Sequence, residues 1–330
     1  DIVMFQDGTL PLEYYRAGFD EARRAGMPVS TRAYGPIFGP LEAAELGSNM
    51  LPHSAGIGRL ITRIPVESSD SRNEADLFSD MDMDKAVELI DILVDAGVAL
   101  DPTYRNSWLG YPADWERFGE DDRNFFDTAD PNLMAYYPPA RMEAALAQYR
   151  APRPTGELAE RRMRGFKNSL HFHKMFADAG GHLIPGSDSN PVKVPGTNLF
   201  HEMMIFVEGG ITPMQIIQGA TKWSAELLNK GSELGTIEAG KIADIIIVNE
   251  DPLQDIVNLR ELDAVIFDGR RVELGYTAGY NPVFRVESEL NPPVSRLLWA
   301  NAFRTVAFEG VGGRFNGRPP VGPGQPLPNP

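Results

Sequence analysis

Cysteine is absent from the 330 residues. That excludes disulfide staples, thiolate zinc sites and a cysteine nucleophile together, and it leaves the redox compartment open. No apolar run approaches the roughly 18 residues needed to span a bilayer, so a soluble protein with no membrane span is expected. Basic charge is scarce: 31 Lys and Arg stand against 46 Asp and Glu, a net charge of −15. This argues against nucleic acid or an anionic membrane surface as the main partner. Gly35, Gly39 and Gly47 do not form a dinucleotide fingerprint, no Gly-x-Ser-x-Gly elbow occurs, and no repeat is found. Neither an initiator methionine nor a signal-peptide pattern precedes Asp1–Phe5, which reads as a strand. The expectation is that an upstream segment was removed or lies elsewhere, so targeting is not legible at this end.

What is present is alternation. Ile2–Phe5, Pro28–Ala33, Asn49–His53, Val98–Tyr104 and His182–Gly186 read as strands. Between them lie helical stretches at Leu12–Ala25, Leu41–Leu46, Asp82–Ala96 and Glu157–Ala179, followed by Asn198–Val207 and Pro213–Ala220. Met83, Val87, Ile90 and Val94 form one stripe of the third helix. Such alternation implies parallel strands covered by helices. Between Asn106 and Pro154 the pattern breaks, and Trp108, Tyr111, Trp115, Phe118, Phe125, Phe126, Tyr136 and Tyr137 are scattered among polar residues. An insertion this long is either a lid over a site or a segment packed on the surface or at an oligomer contact. From Gly235 the pattern turns to β, with an Asp268-Gly269 hairpin signal. From Gly275 a Gly/Pro-rich tail reads as extended or disordered.

Chemistry collects where the strands end. Arg32 and Tyr34, then His53 and Ser54, then Asp101 and Tyr104, then Ser187, Asp188 and Ser189 follow successive apolar strands. In a parallel α/β barrel, active sites are built at that rim. His171 and His173 resemble a ligand pair, but two residues apart on a helix they point about 200° from each other. His182 begins a strand at the opposite, structural end. His201-Glu202 opens a helix from which the rim is within reach.

One segment is more specific than these. Gly235-Thr236-Ile237-Glu238-Ala239-Gly240-Lys241-Ile242-Ala243-Asp244, with Asp251-Pro252 and the run Val265–Arg270, resembles the return from barrel to β-sandwich in the metal-dependent amidohydrolase superfamily. The branch with imidazolonepropionase-like and Xaa-Pro-dipeptidase-like enzymes is the most similar. Gly209–Pro213, Gly219-Ala220-Thr221, Gly186–Ser189 and Leu51-Pro52-His53 resemble its later barrel segments. The resemblance covers about residues 1–272.

It implies the fold and the chemistry together. The fold is α/β: strands 4 to 8 of a (β/α)8 TIM barrel over 1–232 with the insertion 106–154, β-sandwich strands over 233–274, then the tail 275–330. The activity implied is hydrolysis of an amide, peptide or cyclic amide C–N bond by metal-activated water. Asp188 would be the eighth-strand base and metal ligand, and His53 the sixth-strand histidine. Arg32, Tyr34, Tyr104 and His201 would contact substrate. Three departures stand out. Met4 replaces the fourth-strand lysine, Arg32 replaces the fifth-strand histidine, and the first-strand His-x-His has no counterpart. At most one divalent metal is therefore expected, zinc by family habit, or none, with the remaining ligands from a missing amino-terminal segment or companion chain. The rival expectation is a catalytically inactive relative serving as a binding or assembly subunit. The substrate is a small molecule or short peptide, and a homo-oligomer is expected. The family favours a periplasmic or secreted location over a cytoplasmic one.

Overall fold

The computed structural model describes residues 1–6, 10–66, 73–107, 115–128, 139–150, 152–188 and 196–275. Its centre is a parallel sheet of three-residue strands: β1 (Val3–Phe5), β2 (Val29–Thr31), β3 (Met50–Pro52) and β4 (Ala99–Asp101), laid down in chain order. Met4 pairs with Ser30, Ser30 with Met50, and Met50 with Ala99, so these four share one cross-strand row. The expected fifth strand, His182–Gly186, is only a bridge between Leu183 and Leu100. Two bonds hold it, Leu100 N to His182 O at 3.0 Å and Ile184 N to Leu100 O at 2.8 Å. Pro185 follows and has no N–H with which to extend the ladder.

Alternation along each strand assigns the two faces of the sheet. Phe5 stacks on Phe19 of α1 (Leu12–Arg24) with ring centroids 5.4 Å apart, while Tyr15 stacks on Phe38 at 4.0 Å. Phe5 therefore faces the helices, and Met4 faces the other way. The helix-covered side continues through Leu51 and Leu100. Against it pack α2 (Pro40–Leu46), α3 (Ile57–Ile61), α4 (Glu74–Phe78), α5 (Met83–Asp95) and the 23-residue α9 (Gly156–Asp178). The α5 stripe differs from the sequence expectation. Ala86, Leu89, Ile90 and Leu93 are buried, whereas Met83 and Val87 are 39% and 49% exposed. The Asp82 cap, which accepts from Asp84 N and Lys85 N, starts the helix at a rotation that turns Met83 outward.

The insertion contributes α6 (Tyr104–Ser107), α7 (Trp115–Thr128) and α8 (Pro139–Ala147). Phe118 joins the main core, and Phe126 and Ala145 form a small cluster of their own. Trp108, Tyr111, Tyr136 and Tyr137 lie outside the described residues, as does the side chain of Trp115. Then come α10 (Thr197–Glu208), α11 (Pro213–Gln218), one π turn and α12 (Ser224–Leu227). Next follows an antiparallel sheet of β5 (Ile245–Val248), β6 (Leu262–Phe267) and β7 (Arg270–Val272). Asp268 and Gly269, both at positive φ (48° and 73°), make the β6–β7 turn that the sequence signals. Residues 1–276 form one compact unit, and the tail expected from 275 lies almost wholly outside the described residues. Among the described residues no helix is long and apolar enough to cross a membrane.

Candidate active site

Three turns leave the carboxyl ends of β3, β4 and the Leu183 segment, and all three are bent in the same unusual way. Six non-glycine residues have positive φ among those described. Four of them lie in these turns: His53 (61°), Ser54 (45°), Thr103 (48°) and Asp188 (43°). Left-handed backbone costs an L-residue about 1–3 kcal/mol where nothing relieves it, and such residues collect at functional sites.

The turns converge on a few polar groups. His53 Nε2 stands 3.9 Å from Asp188 Oδ2, with the histidine buried and the Asp188 side chain 43% exposed. The other ring nitrogen, Nδ1, lies 2.5 Å from Thr103 Oγ1. Thr103 in turn donates its backbone N–H to Asp101 Oδ1 at 3.1 Å. Burial pushes the Asp101 carboxyl up to about 7, against the Thr103 N–H, and the nearby Asp188 charge adds to the rise. The β3 turn is fastened from behind by Glu74 of α4, which accepts from Gly58 N at 3.0 Å and more weakly from Gly56 N at 3.4 Å. Burial raises Glu74 to about 7.

Beneath His53 lies a buried bridge. His173 Nδ1 is 2.8 Å from the Ser169 carbonyl, which can only accept, so Nδ1 carries the proton. Nε2 is then bare and accepts from the Ser54 hydroxyl at 2.6 Å. Tyr104 Oη also approaches Nδ1, at 2.7 Å, and meets Ser169 Oγ at 3.0 Å. Burial lowers His173 to about 4, so the ring is neutral. His171, two residues away, is exposed on the opposite side of α9, as the helical spacing demands.

The sequence-derived residues divide into two groups. His53 and Asp188 are brought together. Arg32 sits at the end of β2 with its Nε enclosed and without a hydrogen-bond partner, and Tyr34 follows it, N bonded to Arg32 O at 3.1 Å. Tyr104 and His201, expected at the substrate, are fully buried and offer a ligand no open surface. The physical reason for Tyr104 is that β4 ends at Asp101 and Tyr104 already belongs to α6, which turns it into the core. His201 is held between Arg105 Nε at 3.1 Å and Asp121 at 2.7 Å. Asp121 also accepts a fork from Arg260 at 2.9 and 2.7 Å, and these partners hold its carboxyl well below the usual range. Behind them, Arg105 and Asp122 form a fully buried pair that also engages Tyr149. Glu202 accepts from Tyr104 N and Arg105 N at 2.9 and 2.7 Å, and burial lifts it to about 8. Thr103 and Glu74 escape sequence reasoning altogether, and Glu202, noted there beside His201, turns into the core instead of the rim. Asp101 carries the same signal as Asp188, a carboxylate directly after an apolar strand.

Two donors converge on the open side, His53 Nε2 and the Asp188 carboxylate. No group of three His, Asp or Glu able to hold a metal occurs among the described residues. Arg32 has no lone pair to offer. A structural or catalytic zinc takes at least three protein ligands, so the described residues do not by themselves fit one.

The Amidohydrolase family model matches residues 129–272. Imidazolonepropionase of Geobacillus sp. (strain WCH70) is 29% identical over 99 residues, 29% of this chain and 23% of that protein. A solved bottromycin amidohydrolase is 20% identical, with 83% of this chain and 56% of that one covered and a TM-score of 0.52. A Xaa-Pro dipeptidase with bound methionine is 23% identical, with 80% and 49% covered and a TM-score of 0.48. The fold is a TIM-barrel-like α/β fold. The likeness to amidohydrolases rests on the match over residues 129–272 and on the shared fold. It spans about half the length of the solved structures it matches.

Proposed function

We propose that this chain is the carboxyl-terminal part of a hydrolase that cleaves an amide, peptide or cyclic amide C–N bond, with Asp188 as base. The observation that carries the reading is the pairing of His53 Nε2 with Asp188 Oδ2 at 3.9 Å, inside turns that hold four of the six left-handed non-glycine residues among those described. Asp188 is accessible and takes a proton from water as the oxygen attacks the carbonyl carbon. That proton passes to the leaving nitrogen as the C–N bond breaks, giving a carboxylic acid and an amine. His53, fixed through Thr103, presents Nε2 to Asp188 and steadies the proton in transit. These steps use only protein groups and water. A divalent metal would need ligands from beyond the described residues.

The open sheet edge supports a companion segment. Among the described residues β1 pairs on one side only, with β2, and Met4 on its inner face is 40% exposed. An unpaired parallel edge with an apolar neighbour invites another strand. The strands of a (β/α)8 wall and of a β-sandwich would come from that segment, in this chain or a second one. Residues 1–330 alone are expected to self-associate or to melt without cooperativity, and a cooperatively melting monomer would contradict this.

The test of the chemistry is amine release from a panel of N-acyl amino acids, dipeptides and cyclic imides. Asp188→Asn is expected to lower the rate about 10²–10⁴-fold. A rate indifferent to Asp188→Asn refutes the assignment. Met4 and Arg32, standing where the family has a lysine and a histidine, favour the second reading, a binding subunit, which total silence across the panel would select.

A further inference from the structure

We infer that Arg32 is the seat of a substrate carboxylate, so that the bond cleaved belongs to an acidic amide such as an N-acyl amino acid or a short peptide. The inference rests on the hydrolytic reading of the rim and adds the class of substrate. Ser30 lies in the inner-face row Met4–Ser30–Met50–Ala99. Arg32 is two residues further along the same strand, so it takes the next inner-face row, level with Pro52 and Asp101. Two strand spacings put Arg32 about 10 Å from Asp101 across the rim. That span, shortened by the reach of the side chains, suits a molecule with a carboxylate at one end and an amide one or two bonds away.

Two polar side chains of this row and the one below it are unsatisfied. Ser30 is 2% exposed with its Oγ unpartnered, and the Arg32 Nε is enclosed with no acceptor. Among the described residues Arg32 forms no ion pair, while Arg105, Arg162 and Arg260 each meet a carboxylate. A buried donor without an acceptor is costly, and native structures retain few of them. In a chain of net charge −15, a guanidinium left without a carboxylate at the one rim where substrate would sit marks a place reserved for an external anion. The planar fork of a guanidinium matches a carboxylate through two parallel hydrogen bonds.

The probes are N-acetylglycine and its uncharged analogue N-acetylglycinamide. They are titrated calorimetrically into the intact protein carrying Asp188→Asn, which prevents turnover. N-acetylglycine is expected to bind at least tenfold more tightly than the amide. Arg32→Gln is expected to abolish that preference, and Arg32→Lys to keep part of it. Equal affinities, no binding of either probe at millimolar concentration, or a preference that survives Arg32→Gln would overturn the inference. If Arg32→Gln fails to fold, the preference of the Arg32 protein decides alone. A preference present while Asp188→Asn leaves hydrolysis unchanged would sink the hydrolytic reading and spare the carboxylate seat. The reverse pattern would do the opposite.

Discussion

Gly186 shows how closely the site constrains single residues. A Cβ there would stand 2.4 Å from Asp101 Oδ2 and 2.8 Å from its Cγ. The carboxyl cannot simply swing aside, because Thr103 N holds Oδ1 and Thr103 in turn holds His53. Gly186→Ala is therefore expected to cost about 1–3 kcal/mol of stability by overpacking and to lower hydrolysis at least tenfold, read by urea unfolding and amine release. Full activity in the variant would mean that Asp101 and Thr103 do not set the position of His53. Glu74 acts on the same histidine from the other side, through the N–H groups of Gly56 and Gly58. Glu74→Ala leaves those donors bare, and each such loss costs about 1–3 kcal/mol. Its melting temperature should fall, with hydrolysis falling alongside as the β3 turn loosens.

At the scale of elements, α4 and α9 meet without any side chain between them at Gly165. A Cβ at this position would lie 1.7 Å from the Ala75 carbonyl oxygen, a backbone atom that cannot yield. Gly165→Ala is expected to force the helices apart, destabilising by at least the 1–3 kcal/mol of ordinary overpacking, and to disturb the Asp76 ion pairs with Arg161 and Arg162. An unchanged unfolding midpoint would show that the contact is looser than this. The same elements explain what a reader of the sequence can see. The 13-residue α5 behind Asp82 is legible because cap and periodicity sit together, and the short α11 is legible from its Thr212-Pro213 start alone. The five-residue α3 and α4 carry less than two turns of periodicity and are not. His53 and Asp188 stand out in the sequence because each follows an apolar strand, and the fold brings them within 3.9 Å. Tyr104 and His201 mislead because facing the rim or the core depends on where a helix begins, within one or two residues, and sequence patterns do not fix that.

For the molecule as a whole, the buried titratable groups make opposing demands on pH. His173 has a folded pKa near 4 against an unperturbed value near 6.5, so the unfolded chain takes up its proton first, and this group removes stability as pH falls from 6.5 toward 4. Glu74 and Glu202 run the other way. Their folded pKa values are about 7 and about 8 against 4.5, so the native state keeps protons that the unfolded chain has released. Each therefore removes stability as pH rises from about 4.5 through its folded value, at up to about 1.4 kcal/mol per pH unit. Asp101, raised to about 7, adds to the two glutamates, while burial lowers His182 and His201 alongside His173; above 6.5 the imidazoles drop out and the carboxyls alone remain. Self-repulsion in a chain of net charge −15 works in the same direction. Unfolding free energy, measured in urea at pH 6, 7 and 8, is expected to decline steadily. Glu202→Gln keeps an acceptor for the Tyr104 and Arg105 N–H groups but cannot ionise, so its profile should be shallower by up to about 1.4 kcal/mol per unit over that interval. Parallel profiles for the two proteins would mean that Glu202 is already ionised in the fold at neutral pH, and that burial does not hold its proton.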